Sequence, residues 1–336
     1  MKRGKVTMSD VARLAGVSPM TVSNVVNKRV NVSDEAKARV LEAIRASGYQ
    51  INLSARALRS GRSRVIGFAV PQLDNPYYGM LAGLLSEQAH ERGYRIAVEQ
   101  TRGIAEGEAT AIAQSQVLHL DGLIMAAVEF DPLVPPIPSQ GYPIVLLGEQ
   151  DLGGRYDHIM MPNEAGTAAA TEHLIDQGCR RIAVVTDAEF NRLTMITRRY
   201  NGYRNALEDR GLQVDPDLRL ILEAFSRESA RSTGRRIAES DLGIDAVVAF
   251  TDTVAMGIMR GLLDRGVRVP DDMRVIGFDD IPESPVLTPS LSTVSPDHRW
   301  TAAKALDLII SRIDELEIPP RQHTAPFEVV ARESTA

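Results

Sequence analysis

The sequence predicts an α/β protein in which a small helical domain precedes two lobes built on parallel sheets. Three observations predict this class: two short helices joined by a glycine turn near the N-terminus, strict alternation of strands and helices from residue 65 onward, and a large charge difference between these two parts. The chain has 336 residues, enough for two or three domains with sizeable cores.

Residues 7–27, TMSDVARLAGVSPMTVSNVVN, form the predicted helix pair. Gly16 suits the left-handed conformation that ends a helix, Ser18 is a good N-cap for the next helix, and Pro19 fits the first turn of that helix. This pattern is typical of a helix-turn-helix unit, whose second helix enters the DNA major groove, although a plain helical hairpin has the same periodicity. The apolar residues at helical spacing are Val11, Leu14, Ala15, Val22, Val25 and Val26.

A third helix is predicted over residues 34–47. Ser33 caps its start, acidic residues follow in the first turn, and Gly48 ends it. The three helices together give a domain of residues 1–50. The apolar face expected to cover the first two helices consists of Ala36, Val40, Leu41 and Ile44.

Residues 51–62, INLSARALRSGR, follow this domain as a short, strongly basic segment. Asn52 can cap a helix there, and Leu58 is the single large apolar residue between Arg56 and Arg59. A plain linker is one interpretation, but a segment that folds when it meets DNA accounts better for the basic residues.

Charge divides the chain in the same way. Residues 1–62 hold 12 Lys and Arg against 4 Asp and Glu, a net charge of +8, whereas residues 63–336 hold 26 against 40, a net charge of −14. A basic N-terminal domain attached to an acidic remainder predicts that the N-terminal domain alone binds the phosphate backbone of a nucleic acid.

From residue 65 the chain alternates between apolar strands and amphipathic helices, which predicts parallel sheets with helices on both faces. Two successive series predict two lobes and not one very wide sheet. The first series has strands at 65–70, 94–100, 121–127, 143–149 and 158–163. The second series has strands at 181–186, 218–224, 245–251 and 274–280.

In such folds ligands bind at the carboxyl ends of the strands. Carboxylates, amides and aromatic rings at these ends suit a hydroxyl-rich ligand, because carboxylates accept from hydroxyl groups and aromatic faces pack on the C–H faces of a sugar. Each of these residues could equally be a helix cap. The residues concerned are 74–78, Glu149, Asp187, Thr251, Asp252, Asp279 and Asp280.

Several classes of protein are disfavoured. Cys179 is the single cysteine, so neither a disulfide framework nor a cysteine-rich metal site is expected. The N-terminus has no apolar run typical of a signal peptide, and no apolar stretch approaches 18 residues, so a cytoplasmic protein without membrane contact is expected. Nucleotide-binding glycine motifs and the G-x-S-x-G elbow are absent, which argues against an enzyme, a cofactor or a bound metal. A free-standing sugar receptor is disfavoured by the basic N-terminal domain.

In order along the chain, TMSDVARLAGVSPMTVSNVVN, NLSARALRSG, RVIGFAV with DNPYY, TDTVAMG, VIGFDD and VVARESTA resemble the lactose-repressor (LacI/GalR) family of bacterial transcription regulators. The resemblance implies a DNA-binding head, a hinge helix at 51–62 and two lobes like those of periplasmic sugar-binding proteins. It places residues 63–161 and 292–321 in the first lobe and residues 162–291 and 322–336 in the second. It also implies homodimers on near-palindromic operator DNA, located at the bacterial nucleoid when bound.

The resemblance also implies positions that contact DNA. Base-reading positions are Pro19, Met20 and Asn24; proline cannot donate and methionine offers apolar contact, so Asn24 is the expected hydrogen-bonding reader. Leu58 matches a leucine wedge in the minor groove, flanked by Asn52 and Ala55. Phosphate-contacting positions are Thr7, Thr21, Ser23, Asn27, Ser33 and Tyr49.

For the small ligand, the resemblance implies an effector site between the lobes. Its residues are Asn75, Tyr77, Arg199, Phe225, Thr251 and Asp279. A buried Arg–Asp pair can also be a purely structural ion pair. The expected function is a transcriptional repressor controlled by a small ligand, a sugar or sugar derivative; a nucleobase or a phosphoprotein corepressor is the alternative within the family.

Overall fold

The computed structural model describes residues 6–26, 32–49, 61–129, 141–149, 155–187, 194–317 and 319–336. Contacts divide the chain into two compact units, Met1–Ser63 and Arg64–Ala336. Within the described ranges, no helix has both the length and the apolar character needed to cross a membrane.

The first unit contains the three predicted helices. They are α1 (Met8–Ala15), α2 (Pro19–Val26) and α3 (Asp34–Ser47). Thr7 and Asp10 form a reciprocal capping box at the start of α1, and Gly16 ends α1 with a φ of 63°. Gly48 ends α3 in the same left-handed conformation. The local capping chemistry therefore fixes where each of these helices starts or stops.

Two predicted core positions in the first unit are wrong. Leu14 is 60% exposed, and Ala12 is buried beside Val11 in its place. On α3, Leu41 is likewise exposed and Ala43 is buried. The small alanine side chains let the helices approach closely. The buried face of each helix is therefore centred near the alanine and not on the leucine.

The second unit has seven described helices and twelve strands. The helices are α4 (Pro76–Glu91), α5 (Ala105–Val117), α6 (Asn163–Asp176), α7 (Met195–Asp209), α8 (Arg227–Glu239), α9 (Asp252–Leu263) and α10 (His298–Asp314). The strands are β1 (Val65–Val70), β2 (Arg95–Gln100), β3 (Gly122–Ala126), β4 (Ile144–Leu147), β5 (Asp157–Met160), β6 (Ile182–Thr186), β7 (Arg219–Ile221), β8 (Ala246–Ala249), β9 (Arg274–Phe278), β10 (Ser292–Pro296), β11 (Gln322–Thr324) and β12 (Phe327–Val330).

These strands form two six-stranded sheets, as predicted. The first sheet has the order β11-β5-β4-β3-β1-β2, and the second has the order β12-β10-β9-β8-β6-β7. All described pairings are parallel except the antiparallel pairing of β12 with β10. The doubly wound α/β fold of each lobe is therefore confirmed.

The structure corrects two lobe boundaries. Strand β10, expected in the first lobe with residues 292–321, pairs with β9 and β12 in the second sheet. Strand β11, expected in the second lobe with residues 322–336, pairs with β5 in the first sheet. The chain therefore crosses between the sheets three times: after β5, after β10 and between β11 and β12. Both strands are short, and their residue types do not indicate which sheet supplies the hydrogen-bonding partner.

Helices cover both faces of each sheet and seal its core. On β1, Phe68 packs with α4 and α10, while its neighbour Ala69 packs with α5 on the opposite face. In the second sheet, α8 and α9 cover one face and α6 and α7 cover the other. Because both faces are apolar and covered, polar side chains concentrate at the strand ends.

Candidate functional site

Helix α2 presents the predicted base-reading residues. Pro19 and Met20 lie in its first turn, where Met20 is 66% exposed, and Asn24 lies half-buried one turn later. Val22 and Val25 hold the opposite face in the core of this unit. An exposed methionine of this size is available for apolar contact, such as with a thymine methyl group.

Several predicted phosphate contacts are engaged in helix caps. The hydroxyl oxygens of Thr7 and Ser33 accept backbone N–H groups of α1 and α3, each at 3.3 Å. Thr21 donates its N–H to Ser18 at 3.0 Å, Ser23 is half-buried, and Tyr49 packs against the core. The predicted residues Asn27, Asn52, Ala55 and Leu58 lie outside the described residues.

Two of the predicted effector residues serve as helix caps. The Asn75 side-chain oxygen accepts the N–H of Tyr77 at 3.0 Å, and the Thr251 hydroxyl oxygen accepts the N–H of Val254 at 3.2 Å. Phe225 is partly buried between two core clusters of the second sheet. These side chains are accordingly fixed by local structure at the strand ends.

Arg199 is the most constrained predicted ligand residue. Its buried guanidinium donates from Nε to the Asn163 side-chain oxygen at 2.6 Å and from Nη1 to the carbonyl of Phe250, and it lies 3.4 Å from the centroid of the Phe278 ring. Gly202, one turn later on α7, permits this position, because a Cβ there would lie 2.1 Å from the carbonyl oxygen of Glu164 on α6. The close contact of α6 and α7 thus sets the guanidinium beside Asn163.

Asp279 faces Arg199, as the family resemblance implies for the two residues. Its carboxylate lies 3.7 Å from the Arg199 Nη2, and its backbone has a φ of 118° at the end of β9. Burial raises the pKa of Asp279 to about 8; Arg199 opposes this shift and the nearby Asp252 carboxyl adds to it. The pair is polar, desolvated and held in a strained loop, which is a common arrangement for a binding group.

Asp252 has a structural role in the same region. Its carboxylate accepts hydrogen bonds from Ile281 N at 3.0 Å, Ser284 Oγ at 2.7 Å and Thr293 Oγ1 at 2.6 Å. Burial raises its pKa to about 6, and these hydrogen bonds limit the shift. Its three donors come from the loop and strand after β9, so Asp252 fixes the backbone that carries Asp279.

The first sheet contributes aromatic rings to this place. The rings of Tyr77 and Tyr78 meet edge to face at 5.0 Å, and Tyr77 lies 5.6 Å from the His298 ring. The Tyr77 hydroxyl donates to the Met161 sulfur at 3.7 Å, and His298 Nε2 donates to the Asp279 carbonyl. Burial lowers the pKa of His298, which favours the neutral ring. Aromatic and polar side chains of both sheets therefore meet at one place.

The structure also brings Glu149 there, which the sequence predicts as a strand-end residue two positions after β4. The sequence-based site omits three residues that the structure brings there: Asn163, Arg198 and His298. Asn163 begins α6 after the first crossing, so its position after a strand end carried a signal. Arg198 precedes Arg199, and His298 begins the helix after the second crossing. Among the described residues, no group of three His, Cys, Asp or Glu side chains is placed to hold a metal ion.

The chain matches known proteins over its whole length. Residues 7–52 match the family described as bacterial regulatory proteins, lacI family. The ribose operon repressor of Halalkalibacterium halodurans is 32% identical over 330 residues, which cover 98% of this chain and 97% of the relative. The chain belongs to the LacI family. Residues 171–335 match a periplasmic binding protein-like domain.

Solved structures of LacI-type regulators agree with this membership. A putative LacI-family regulator from Sanguibacter keddieii is 37% identical, with a TM-score of 0.74 over 82% of this chain and 99% of that structure. The regulator CelR in complex with cellobiose is 26% identical, with a TM-score of 0.72 over 98% and 99%. The predicted family is confirmed: this LacI-family chain is a DNA-binding transcription regulator with a ligand-binding unit, and its relatives are repressors and not enzymes.

Proposed function

We propose that this LacI-family chain is a repressor whose affinity for operator DNA is controlled by a neutral, hydroxyl-rich ligand bound between its two sheets. The observation that carries the proposal is the buried Arg199–Asp279 pair facing the Tyr77 ring across the cleft. The pair supplies donors and acceptors for hydroxyl groups, and the ring supplies an apolar surface for sugar C–H groups.

The partners of the two guanidinium groups support a neutral ligand. Arg199 already donates to the Asn163 side-chain oxygen and to the Phe250 carbonyl, and Arg198 lies 3.7 Å from the Glu149 carboxylate. A phosphate or carboxylate ligand would need a cation without such partners, because burial of an uncompensated charge is costly. The relatives named for ribose and solved with cellobiose support the same ligand class.

Thermal shift with a ligand panel tests this part of the proposal. D-ribose, D-glucose, cellobiose, glucose 6-phosphate and hypoxanthine are compared, because a ligand that binds the native state raises the midpoint of unfolding. We expect a neutral sugar to raise the midpoint of unfolding. We expect Asp279→Ala and Arg199→Ala to abolish this rise while operator binding persists. A rise with glucose 6-phosphate or hypoxanthine alone would contradict the neutral-sugar class.

The operator is proposed to be near-palindromic and bound by a homodimer. Edge strands β2 and β7 support self-association, since Val98 is 42% exposed and Ile221 is 45% exposed there. We expect sedimentation to give a dimer and DNA selection to give a two-fold-related site with a steep salt dependence. Binding without sequence preference, or binding that survives deletion of residues 1–60, would overturn the operator proposal.

Asn24 and Leu58 are proposed to contribute to operator recognition in different ways. Asn24→Ala is expected to relax preference at one base pair of each half-site, at a cost of about 1–3 kcal/mol for the preferred base. Leu58→Ala is expected to weaken operator binding more than nonspecific binding, because a wedge acts at the operator centre. Equal losses on both DNAs would remove the wedge role.

A further inference from the structure

Met20 exposes a thioether side chain on the surface of the first unit. It lies in the first turn of α2 and is 66% exposed. Val22 and Val25 hold the opposite face of this helix in the core of the unit. Helix α2 is also the helix for which base reading is proposed. An oxidisable apolar side chain is therefore open to solvent at the place where a DNA contact is proposed.

The other methionines of the described residues are better protected. Within the described ranges, Met20 is the single methionine that is exposed. Met125 is fully buried, and Met8 packs against the core of the first unit. Met161 is half-buried, and its sulfur accepts a hydrogen bond from the Tyr77 hydroxyl. A reagent in solution that attacks thioethers is therefore expected to reach Met20 first.

The single cysteine of the chain does not compete for such a reagent. Cys179 is 2% exposed, so its sulfur is shielded from solvent. Burial also raises the pKa of the Cys179 thiol, which disfavours the reactive thiolate. A thioether carries no proton that must first be lost, so exposure governs its reaction with an oxidant. Exposure therefore favours Met20 over Cys179 as the target of an oxidant.

We propose that Met20 is an oxidation site through which hydrogen peroxide releases this repressor from its operator. The thioether sulfur attacks one peroxide oxygen, the O–O bond breaks, and an S–O bond forms. The sulfur is oxidised, and the other peroxide oxygen leaves with both protons as water. The product is methionine sulfoxide, which methionine sulfoxide reductases convert back to methionine. This inference rests on the proposed contact of α2 with operator DNA.

Oxidation would change the chemistry that Met20 offers to a base. A thioether is apolar and suits a thymine methyl group, whereas a sulfoxide is polar and its oxygen accepts hydrogen bonds. In the major groove, thymine presents a methyl group and an acceptor, and neither is a favourable neighbour for a sulfoxide oxygen. Contact with the methyl group would also desolvate the sulfoxide without a hydrogen bond in return. Oxidised Met20 is therefore expected to oppose the contact that reduced Met20 makes.

The rest of the first unit should keep its structure and its charge. Ser18 caps the start of α2 by accepting the N–H of Thr21 at 3.0 Å, and the Met20 side chain takes no part in this bond. A sulfoxide adds no net charge, so the attraction to phosphates is expected to persist. Loss of operator affinity with unchanged nonspecific affinity would therefore distinguish oxidation of Met20 from unfolding.

Peptide mapping by mass spectrometry is the first test, and it needs no operator. The full chain is treated with hydrogen peroxide and then cleaved with trypsin, which isolates Met20 between Arg13 and Lys28, apart from Met8. We expect the Met20 peptide to gain the mass of one oxygen atom before the peptides of the other described methionines. Protein unfolded in guanidinium is the control, in which all methionines should react alike. Oxidation of another described methionine ahead of Met20 in the folded chain would overturn the proposal.

DNA binding is the second test, with a duplex selected by the reduced wild type as the probe. We expect peroxide to weaken binding to this duplex by about tenfold and to change binding to a random-sequence duplex by less than about twofold. Methionine sulfoxide reductase should restore the lost affinity. Met20→Leu keeps an apolar side chain without sulfur, so its affinity should not respond to peroxide. Met80→Leu is the matched control, because Met80 is half-buried, and it should respond like the wild type.

Base replacement in the selected duplex tests the contact itself. Deoxyuridine lacks only the methyl group of thymidine, so each thymine of a half-site is replaced in turn. For the reduced wild type, we expect one position where this replacement weakens binding. After oxidation, the methyl group should no longer favour binding at that position. If no thymine methyl contributes to binding by the reduced protein, the proposed contact of Met20 is overturned.

These experiments separate failure of the oxidation site from failure of the proposed function. Unchanged operator affinity after complete oxidation of Met20 would overturn the inference and leave a functional repressor. An equal loss of affinity in peroxide-treated Met20→Leu would assign the effect to another residue and also overturn it. If the reduced wild type selects no preferred DNA sequence, the proposed operator binding fails together with the release by peroxide. The peptide map would still decide whether Met20 is the site of oxidation.

Discussion

The two sides of the proposed ligand site differ in how firmly their side chains are held. On the second sheet, Arg199 is fixed by Asn163, the Phe250 carbonyl and the Phe278 ring. On the first sheet, Tyr77 makes ring contacts and donates to a sulfur atom, which is a weak acceptor. On the second sheet, the charged side chains are held in place although their burial costs electrostatic free energy. On the first sheet, the aromatic rings are held less firmly and can adapt to a ligand. Ligand selectivity is therefore expected from the second sheet and general affinity from the first.

The largest expected effect is that of Arg199→Met. Removing the buried guanidinium leaves the Asn163 side-chain oxygen and the Phe250 carbonyl without their donor, so we expect a loss of about 3 kcal/mol in the free energy of unfolding, measured by urea denaturation. The double variant Arg199→Met/Asp279→Asn should be about as stable as the single variant at pH 6, because Asp279 is already protonated there. A single variant as stable as the wild type would show that the pair is not constrained as described.

Gly202→Ala tests why the polar side is rigid. The added methyl group would meet the Glu164 carbonyl at 2.1 Å, so α6 and α7 must separate and Arg199 must move away from Asn163. We expect a destabilisation of about 2 kcal/mol together with weaker ligand binding. Gly79→Ala on α4 is the control, because nothing lies within 4 Å of its Cβ. Equal effects of the two substitutions would remove the helix contact as the cause.

The free energy of unfolding should depend on pH through Asp279 on the second sheet. Because the pKa of Asp279 is about 8 in the folded chain, against about 3.9 in an unfolded chain, the folded state binds more protons between these values. Stability is therefore expected to fall as pH rises, by about 1 kcal/mol per pH unit near pH 6–7. Denaturation of Asp279→Asn across this range should show a shallower slope; an unchanged slope would assign the effect to other groups.

The smallest expected effect is that of Tyr77→Phe on the aromatic side. Only the hydroxyl bonded to Met161 is lost, so we expect less than about 0.5 kcal/mol in stability and a change in sugar affinity below about twofold. Calorimetry with the sugar found by thermal shift provides the measurement. A large loss of affinity would mean that the first sheet also selects ligands by hydrogen bonding.

The sequence predicted much of this arrangement because its signals are local. Gly16, Ser33 and Gly48 end or cap helices through their own backbone preferences, and the strand–helix alternation gave both sheets. Arg199 and Asp279 were predicted through family resemblance and do meet in the structure. Their shared position at strand ends follows from the topology of parallel sheets.

The errors and omissions concern packing between distant segments. Leu14 and Leu41 have the hydrophobicity of core residues, yet close helix packing favours Ala12 and Ala43. The exchange of β10 and β11 between lobes depends on pairings with β9 and β5, which no local pattern encodes. Glu149 and Arg198 are nearly fifty positions apart, so their contact depends on where the crossings place the two sheets.

The late strands β11 and β12 have a consequence for biosynthesis. Strand β11 completes an edge of the first sheet and β12 an edge of the second, and both are encoded within residues 322–330. Helix α10, which seals one face of the first sheet, is also translated only after the second sheet has received β10. A nascent chain emerging from the ribosome therefore completes neither sheet until residues 322–330 have been translated. A messenger RNA truncated before codon 322 would yield two unfinished sheet edges, so the product would be exposed to proteases before it could occupy an operator.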